Sequence, residues 1–151
     1  MVKIYFAASI RAGREDVDIY RSIIEYLKLY GEVLTEHIGN KNLSASGENL
    51  PERKIHDRDL EWLLKSEVVV AEGTVPSLGV GYELGRVAEK KPILCLYRPV
   101  EGKLFSGMIK GSSAIKTVKY TTLDEAKKVV DEFMREHGYI RQFKKPLFGS
   151  R

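Results

Sequence analysis

The sequence predicts one α/β domain: a doubly wound, mainly five-stranded parallel sheet with helices on both faces. Three observations carry that expectation. Five apolar, strand-like runs alternate with segments of helical periodicity, the pattern of a β-α-β chain. Two of the runs, Val68-Val69-Val70-Ala71 and Ile93-Leu94-Cys95-Leu96, are continuously apolar, as in strands covered on both faces. The length of 151 residues suits a single hydrophobic core. A Rossmann-like or flavodoxin-like sandwich is the expected architecture.

The first strand is expected over Val2–Ala8. Ile19, Ile23 and Leu27 then recur at helical spacing, and a strand over 32–36 follows. The next helix, around 55–63, gathers Ile55, Leu60, Trp62 and Leu63 on one arc. A strand over 67–72 runs through a glycine-rich turn into a helix over 80–89. Strands over 92–97 and 116–120 complete the sheet. The last helix, marked by Ala126, Val130 and Phe133, opens on the capping box Thr122-Leu123-Asp124-Glu125 and stops at Gly138. In such sheets ligands gather beyond the carboxyl ends of the strands. The chemistry is therefore expected at 8–14, 36–40, 72–83 and 97–108.

Charge narrows the function classes. The chain has 25 basic and 21 acidic residues, but four of the basic ones (Arg141, Lys144, Lys145 and Arg151) lie in an acid-free stretch, 141–151. Residues 1–140 are formally neutral and read as the single catalytic domain, with 141–151 as a basic tail. A solvated terminus explains that tail better than a nucleic-acid site. The lone Cys95 excludes an internal disulfide, and His37, His56 and His137 lack ligand spacing, so neither metal nor cofactor is expected. No apolar run reaches the ~18 residues of a membrane span, and the N-terminus does not resemble a signal peptide. The expected location is the cytoplasm.

Three segments carry chemistry. The loop Ala8-Ser9-Ile10-Arg11-Ala12-Gly13-Arg14 joins a strand to a helix and offers N–H groups, a hydroxyl and guanidinium forks to an anion. It is neither a P-loop nor a dinucleotide fingerprint, and an ordinary turn is the alternative. Asp59 falls on the apolar arc of its helix, where burial raises a carboxyl pKa and suits a general acid. A structural aspartate paired with arginine or backbone fits the pattern equally well. Glu83 follows Gly73-Thr74-Val75-Pro76-Ser77-Leu78-Gly79-Val80-Gly81 and is expected in the first helical turn, where the dipole favours the ionised form. An ionised carboxylate there suits a nucleophile; helix complementation is the alternative. Asp59 and Glu83 together form the acid and nucleophile of glycosidic chemistry, and a separation of about 5 Å implies a covalent intermediate. Tyr5 reads as a core aromatic, His37 as either a substrate contact or a surface histidine, and Cys95 as buried and inert.

Residues 5–16, 33–37, 55–56 with 59–63, 76–86, 93–99 and 106–109 resemble, in one register, the 2'-deoxynucleoside 5'-phosphate N-hydrolases (the Rcl family). The similarity spans roughly residues 3–111, and Pro76-Ser77-Leu78-Gly79-Val80-Gly81-Tyr82-Glu83-Leu84-Gly85-Arg86 is its most specific block. Ala8 and Ala12 stand where the family has glycine, and 39–52 diverges. The resemblance implies cleavage of deoxynucleoside monophosphates to free base and 2-deoxyribose 5-phosphate, with a preference for purines such as dGMP. It implies Glu83 as nucleophile, Asp59 as the group that protonates the leaving base, and Tyr5 as the residue that positions the reacting carboxylate. Substrate contacts fall on Ala8, Ser9, Ile10, Arg11, Ala12, Gly13, Arg14, His37, Ser77 and Gly79. It further implies a homodimer in which Ser106, Gly107 and Met108 complete the partner's site. A nucleoside 2-deoxyribosyltransferase and a non-catalytic nucleotide-binding module are the competing readings.

Overall fold

The computed structural model describes residues 1–11, 16–44 and 46–143. Ala12, Gly13 and Arg14, and the tail from 144 onward, lie outside the described residues. Five parallel strands, β1 (Val2–Ala8), β2 (Gly31–Val33), β3 (Val68–Glu72), β4 (Ile93–Tyr97) and β5 (Lys116–Lys119), stand in the order β2-β1-β3-β4-β5. Five helices connect or flank them: α1 (Val17–Leu27), α2 (Glu52–Lys65), α3 (Leu78–Val87), α4 (Gly107–Lys110) and α5 (Leu123–Glu136). The expected doubly wound α/β sandwich is what the chain forms. No helix among the described residues is long and apolar enough to cross a membrane.

Strand parity divides the core in two. Ile4, Phe6, Val68, Val70, Leu94 and Leu96 pack with the buried faces of α1 and α5. Their neighbours Tyr5, Ala7, Val69, Ala71, Ile93 and Cys95 point the other way, onto Leu63 of α2 and Val80, Leu84 and Val87 of α3. Because side chains alternate along a strand, this register decides which residues meet α2 and α3. Tyr5 is thereby delivered to the face that carries Asp59 and Glu83.

The second strand ends earlier than the apolar run suggests, at Val33 rather than 36. Thr35 explains the difference. Its hydroxyl accepts from Phe6 N at 2.9 Å and donates to Phe6 O at 2.7 Å, so a side chain replaces the ladder and the backbone leaves the sheet. The chain then turns through a 3-10 segment, Glu36–Gly39, which carries His37. At the strand's start a Cβ on Gly31 would lie 2.0 Å from Val2 O, so only glycine permits this approach. The final helix is capped as expected: Thr122 Oγ1 accepts from Glu125 N, and Gly138 (φ 81°) ends it with Tyr139 N bonded to Met134 O.

One buried acid was not expected to matter. Glu72, at the carboxyl end of β3, is fully buried and accepts from Thr74 N at 2.6 Å and from the Tyr120 hydroxyl. Arg98 Nε lies 3.7 Å away, and the same guanidinium pairs with Asp16 at the entry to α1. Arg98 N also donates to Thr74 Oγ1 at 2.9 Å. This network ties the ends of β3, β4 and β5 to the start of α1. Tyr120→Phe should destabilise the fold by about 1–3 kcal/mol, because it strands one oxygen of a buried carboxylate. Urea unfolding measures the change.

Candidate active site

A cavity of about 480 Å³ opens beside the carboxyl end of β1, between α2 and α3. Ala8, Ile10 and Arg11 line it from the β1–α1 loop, Gly47 and Glu48 from the segment before α2, and Asp59 from α2 itself. Ser77, Gly79 and Glu83 close the α3 side. The sheet edge expected to hold the chemistry therefore holds the cavity.

Glu83 is the sixth residue of α3, beyond the first turn where it was expected. Helix polarity there is weak, and burial wins. Burial first, and then the nearby charge of Asp59, push its carboxyl up to about 8, despite a hydrogen bond with Tyr5 that favours the anion. Tyr5 is almost fully buried, and its hydroxyl is held in the neutral form by burial and by the charges of Glu83 and Asp59. A neutral phenol is a donor, so it points a hydrogen at Glu83.

Asp59 lies on the arc as expected, but it is not an uncompensated carboxyl. Arg58 Nε and Nη2 donate to its Oδ1 at 2.9 and 2.8 Å. The same guanidinium binds Glu48 by two further bonds of 2.6 Å and sits 4.7 Å above the Trp62 ring. The carboxyl held high by burial is Glu83, where the helix dipole was expected to favour its ionised form. His37 lies behind the cavity, with Nε2 3.2 Å from Glu48 Oε1 and its ring 5.6 Å from Trp62. Burial lowers its pKa, more than the nearby acids raise it.

Arg58 and Glu48 escaped the sequence reading. Arg58 falls outside the apolar arc, like an ordinary solvent-facing charge. The available signal was Trp62 one helical turn later, the spacing at which an arginine covers an indole.

The remaining expected residues divide. Ser77 is the N-cap of α3, its Oγ accepting from Val80 N at 3.3 Å while its own proton is free to donate outward. Arg11 extends into solvent, 3.7 Å from Glu52. Ser9 is fully buried beneath the loop and does not line the cavity. Ser106, Gly107 and Met108 are not brought to it either. They sit at the start of α4, with Ser106 on a second cavity of about 320 Å³ shared with Thr74, Arg98 and Phe105.

The family model for nucleoside 2-deoxyribosyltransferases matches residues 4–135. A 5-hydroxymethyl-dUMP N-hydrolase from Danio rerio is 52% identical over 136 residues, which cover 87% of this chain and 95% of that protein. The chain belongs to the nucleoside 2-deoxyribosyltransferase family, in its N-hydrolase branch. A further N-hydrolase-branch relative is the putative 2'-deoxynucleoside 5'-phosphate N-hydrolase 1 of Trichoplax adhaerens, 51% identical over 86% of this chain and 91% of its own. The Mus musculus 5-hydroxymethyl-dUMP N-hydrolase is 47% identical over 93% of this chain and 80% of its own. The fold is also shared with a Clostridium botulinum CMP N-glycosidase, BcmB, at TM-score 0.60 and 18% identity, covering 85% of this chain and 98% of the other.

Proposed function

We propose that this protein hydrolyses the N-glycosidic bond of 2'-deoxynucleoside 5'-monophosphates, releasing free base and 2-deoxyribose 5-phosphate. The observation that carries this reading is the Tyr5–Glu83–Asp59 cluster, whose two carboxyl groups line a single cavity from α3 and α2. Two carboxyl groups in unlike surroundings divide the work of an acid and a nucleophile. Glu83 attacks C1', the C1'–N bond breaks with its electrons passing to the base, and Asp59 delivers a proton to that base. Water then attacks C1', expels Glu83 and returns a proton to Asp59. Burial holds the Glu83 carboxyl high, so its proton must leave before it attacks, and in this reading Asp59 receives it.

The sugar and phosphate fit the same surface. A deoxyribosyl cation lacks the 2'-hydroxyl that would withdraw electrons from it, so its bond breaks more readily than a ribosyl bond. The Ser77 hydroxyl, the N-terminus of α3 and Arg11 supply donors and positive charge for a 5'-phosphate, whose binding energy orients C1' over Glu83.

A homodimer is part of this reading. Leu78 and Met108, on α3 and α4, are 96% and 86% exposed, and Leu104 nearby is likewise bare. Exposed large apolar side chains suit an interface between copies, through which Ser106–Met108 of one copy reach the other's cavity. Met108→Asp should yield a monomer with base release lowered at least about 10²-fold. Light scattering and assay on the same sample test both halves.

The reaction is tested by chromatography of dGMP and 5-hydroxymethyl-dUMP incubated with the protein, beside GMP and deoxyguanosine. The resemblance favours purines, whereas the relatives' names carry a modified pyrimidine, so both bases are included. Base released from the deoxynucleotides, without ribonucleotide or nucleoside cleavage, is the expected result. Release that requires a second base makes the protein a transferase, and none from any deoxynucleoside monophosphate overturns the reading.

A further inference from the structure

Resting on the proposed hydrolysis, we infer that Arg58 is the positioning residue for the leaving-group side of the reaction. It forms, with Glu48 and Trp62, a mount that holds Asp59 by one oxygen and leaves the other for the base. Three observations carry this. Both Arg58 bonds fall on Asp59 Oδ1, and among the described residues Oδ2 takes none from the protein, while Asp59 lines the cavity. The guanidinium is itself held on its other edge by both Glu48 oxygens, and on its face by Trp62. A planar fork fixed on three sides defines a carboxylate plane as a lysine ammonium cannot.

The titratable groups around the mount come from four elements. His37 approaches Glu48 from the 3-10 segment, Glu83 faces Asp59 from α3, Tyr5 bonds to Glu83 from β1, and Glu52 and His56 line the cavity from α2. Against that mostly acidic surround, Arg58 is the cation in contact with Asp59. Glu48 belongs to the stretch 39–52, which runs into α2. Through Arg58, a change in that stretch reaches the reacting centre without touching substrate.

A residue that aims the proton donor matters only when the leaving base needs a proton. The N7-methylated base of 7-methyl-dGMP is already cationic, and it departs neutral once the C1'–N electrons reach it. The poorly basic 5-fluorouracil of 5-fluoro-dUMP departs readily as its anion. The experiment compares wild type with Arg58→Gln, Arg58→Lys and Glu48→Gln on the better of dGMP and 5-hydroxymethyl-dUMP, and on the activated analogue of the same base class.

Arg58→Gln should lower kcat on the ordinary substrate about 10²-fold with KM little changed, and leave the activated analogue within a few-fold of wild type. Glu48→Gln should show the same pattern with a smaller loss. Arg58→Lys should not restore the ordinary substrate, because it returns the charge without the fork. Equal losses on both substrates, or full rescue by lysine, overturn the mount. So does a Glu48→Gln effect confined to KM, which would make Glu48 a base contact. Thermal melts accompany each variant. If Arg58→Gln does not fold, Glu48→Gln and Arg58→Lys decide alone. Wild type that releases no base counts against the proposed function; wild type that turns over while the variants lose both substrates alike counts against the mount only.

Discussion

Under the proposed mechanism, Glu83→Gln should abolish base release while the nucleotide still binds. Glutamine keeps the size of the side chain and a carbonyl oxygen that can accept from Tyr5, so the cavity is preserved. What disappears is the carboxylate that bonds C1' in the proposed mechanism, and turnover should fall by roughly 10³–10⁶-fold. Nucleotide affinity, read by calorimetry, should change only a few-fold, since the phosphate donors lie elsewhere. Asp59→Asn separates the roles: it should spare an activated base, whereas Glu83→Gln should not.

The second large effect is on pH. Burial and the charge of Asp59 raise Glu83 from its ordinary 4.5 to about 8 in the folded protein. A folded pKa above the unfolded one favours the fold fully below the unfolded value, and that advantage is lost as pH rises through the folded value. The free protein should therefore lose melting temperature steadily between about pH 5 and pH 9. Glu83→Gln has no proton to lose there and should flatten the curve, melting higher than wild type at pH 9. Activity follows the same group. Above about 8 Glu83 has lost its proton, none remains to be passed to the leaving base, and kcat/KM should fall along a basic limb. Asp59→Asn removes one cause of the raised value and should move the alkaline loss of stability to lower pH.

Much of this arrangement is legible in the sequence, for physical reasons that differ from residue to residue. β1 matches its apolar run end to end, because strand residues buried on both faces leave little freedom for another register. Asp59 and Glu83 stand out because each breaks a pattern, one an apolar arc and the other a run of small residues. The charge state of Glu83 was not legible. It depends on how far α3 carries the carboxyl past its first turn and on what covers it, and both are tertiary facts. Arg58 was hidden for the opposite reason: it obeys its pattern, and only the fold brings Glu48 onto its far edge. Glu72 reads as the polar end of a strand until Tyr120 and Arg98 close over it. The end of β2 shows how one hydroxyl, on Thr35, outweighs an apolar run.

The most direct test of the account follows the sugar. A deoxynucleoside monophosphate is incubated with the protein at high concentration, and the anomer of the 2-deoxyribose 5-phosphate formed in the first minutes is read by NMR. A parallel quenched sample is digested for mass spectrometry. Attack by Glu83 followed by water inverts C1' twice, so the β anomer appears first and the peptide containing Glu83 carries a deoxyribose 5-phosphate. The α anomer together with an unmodified Glu83 peptide would mean that water attacks directly, and the assignment of Glu83 as nucleophile would be wrong.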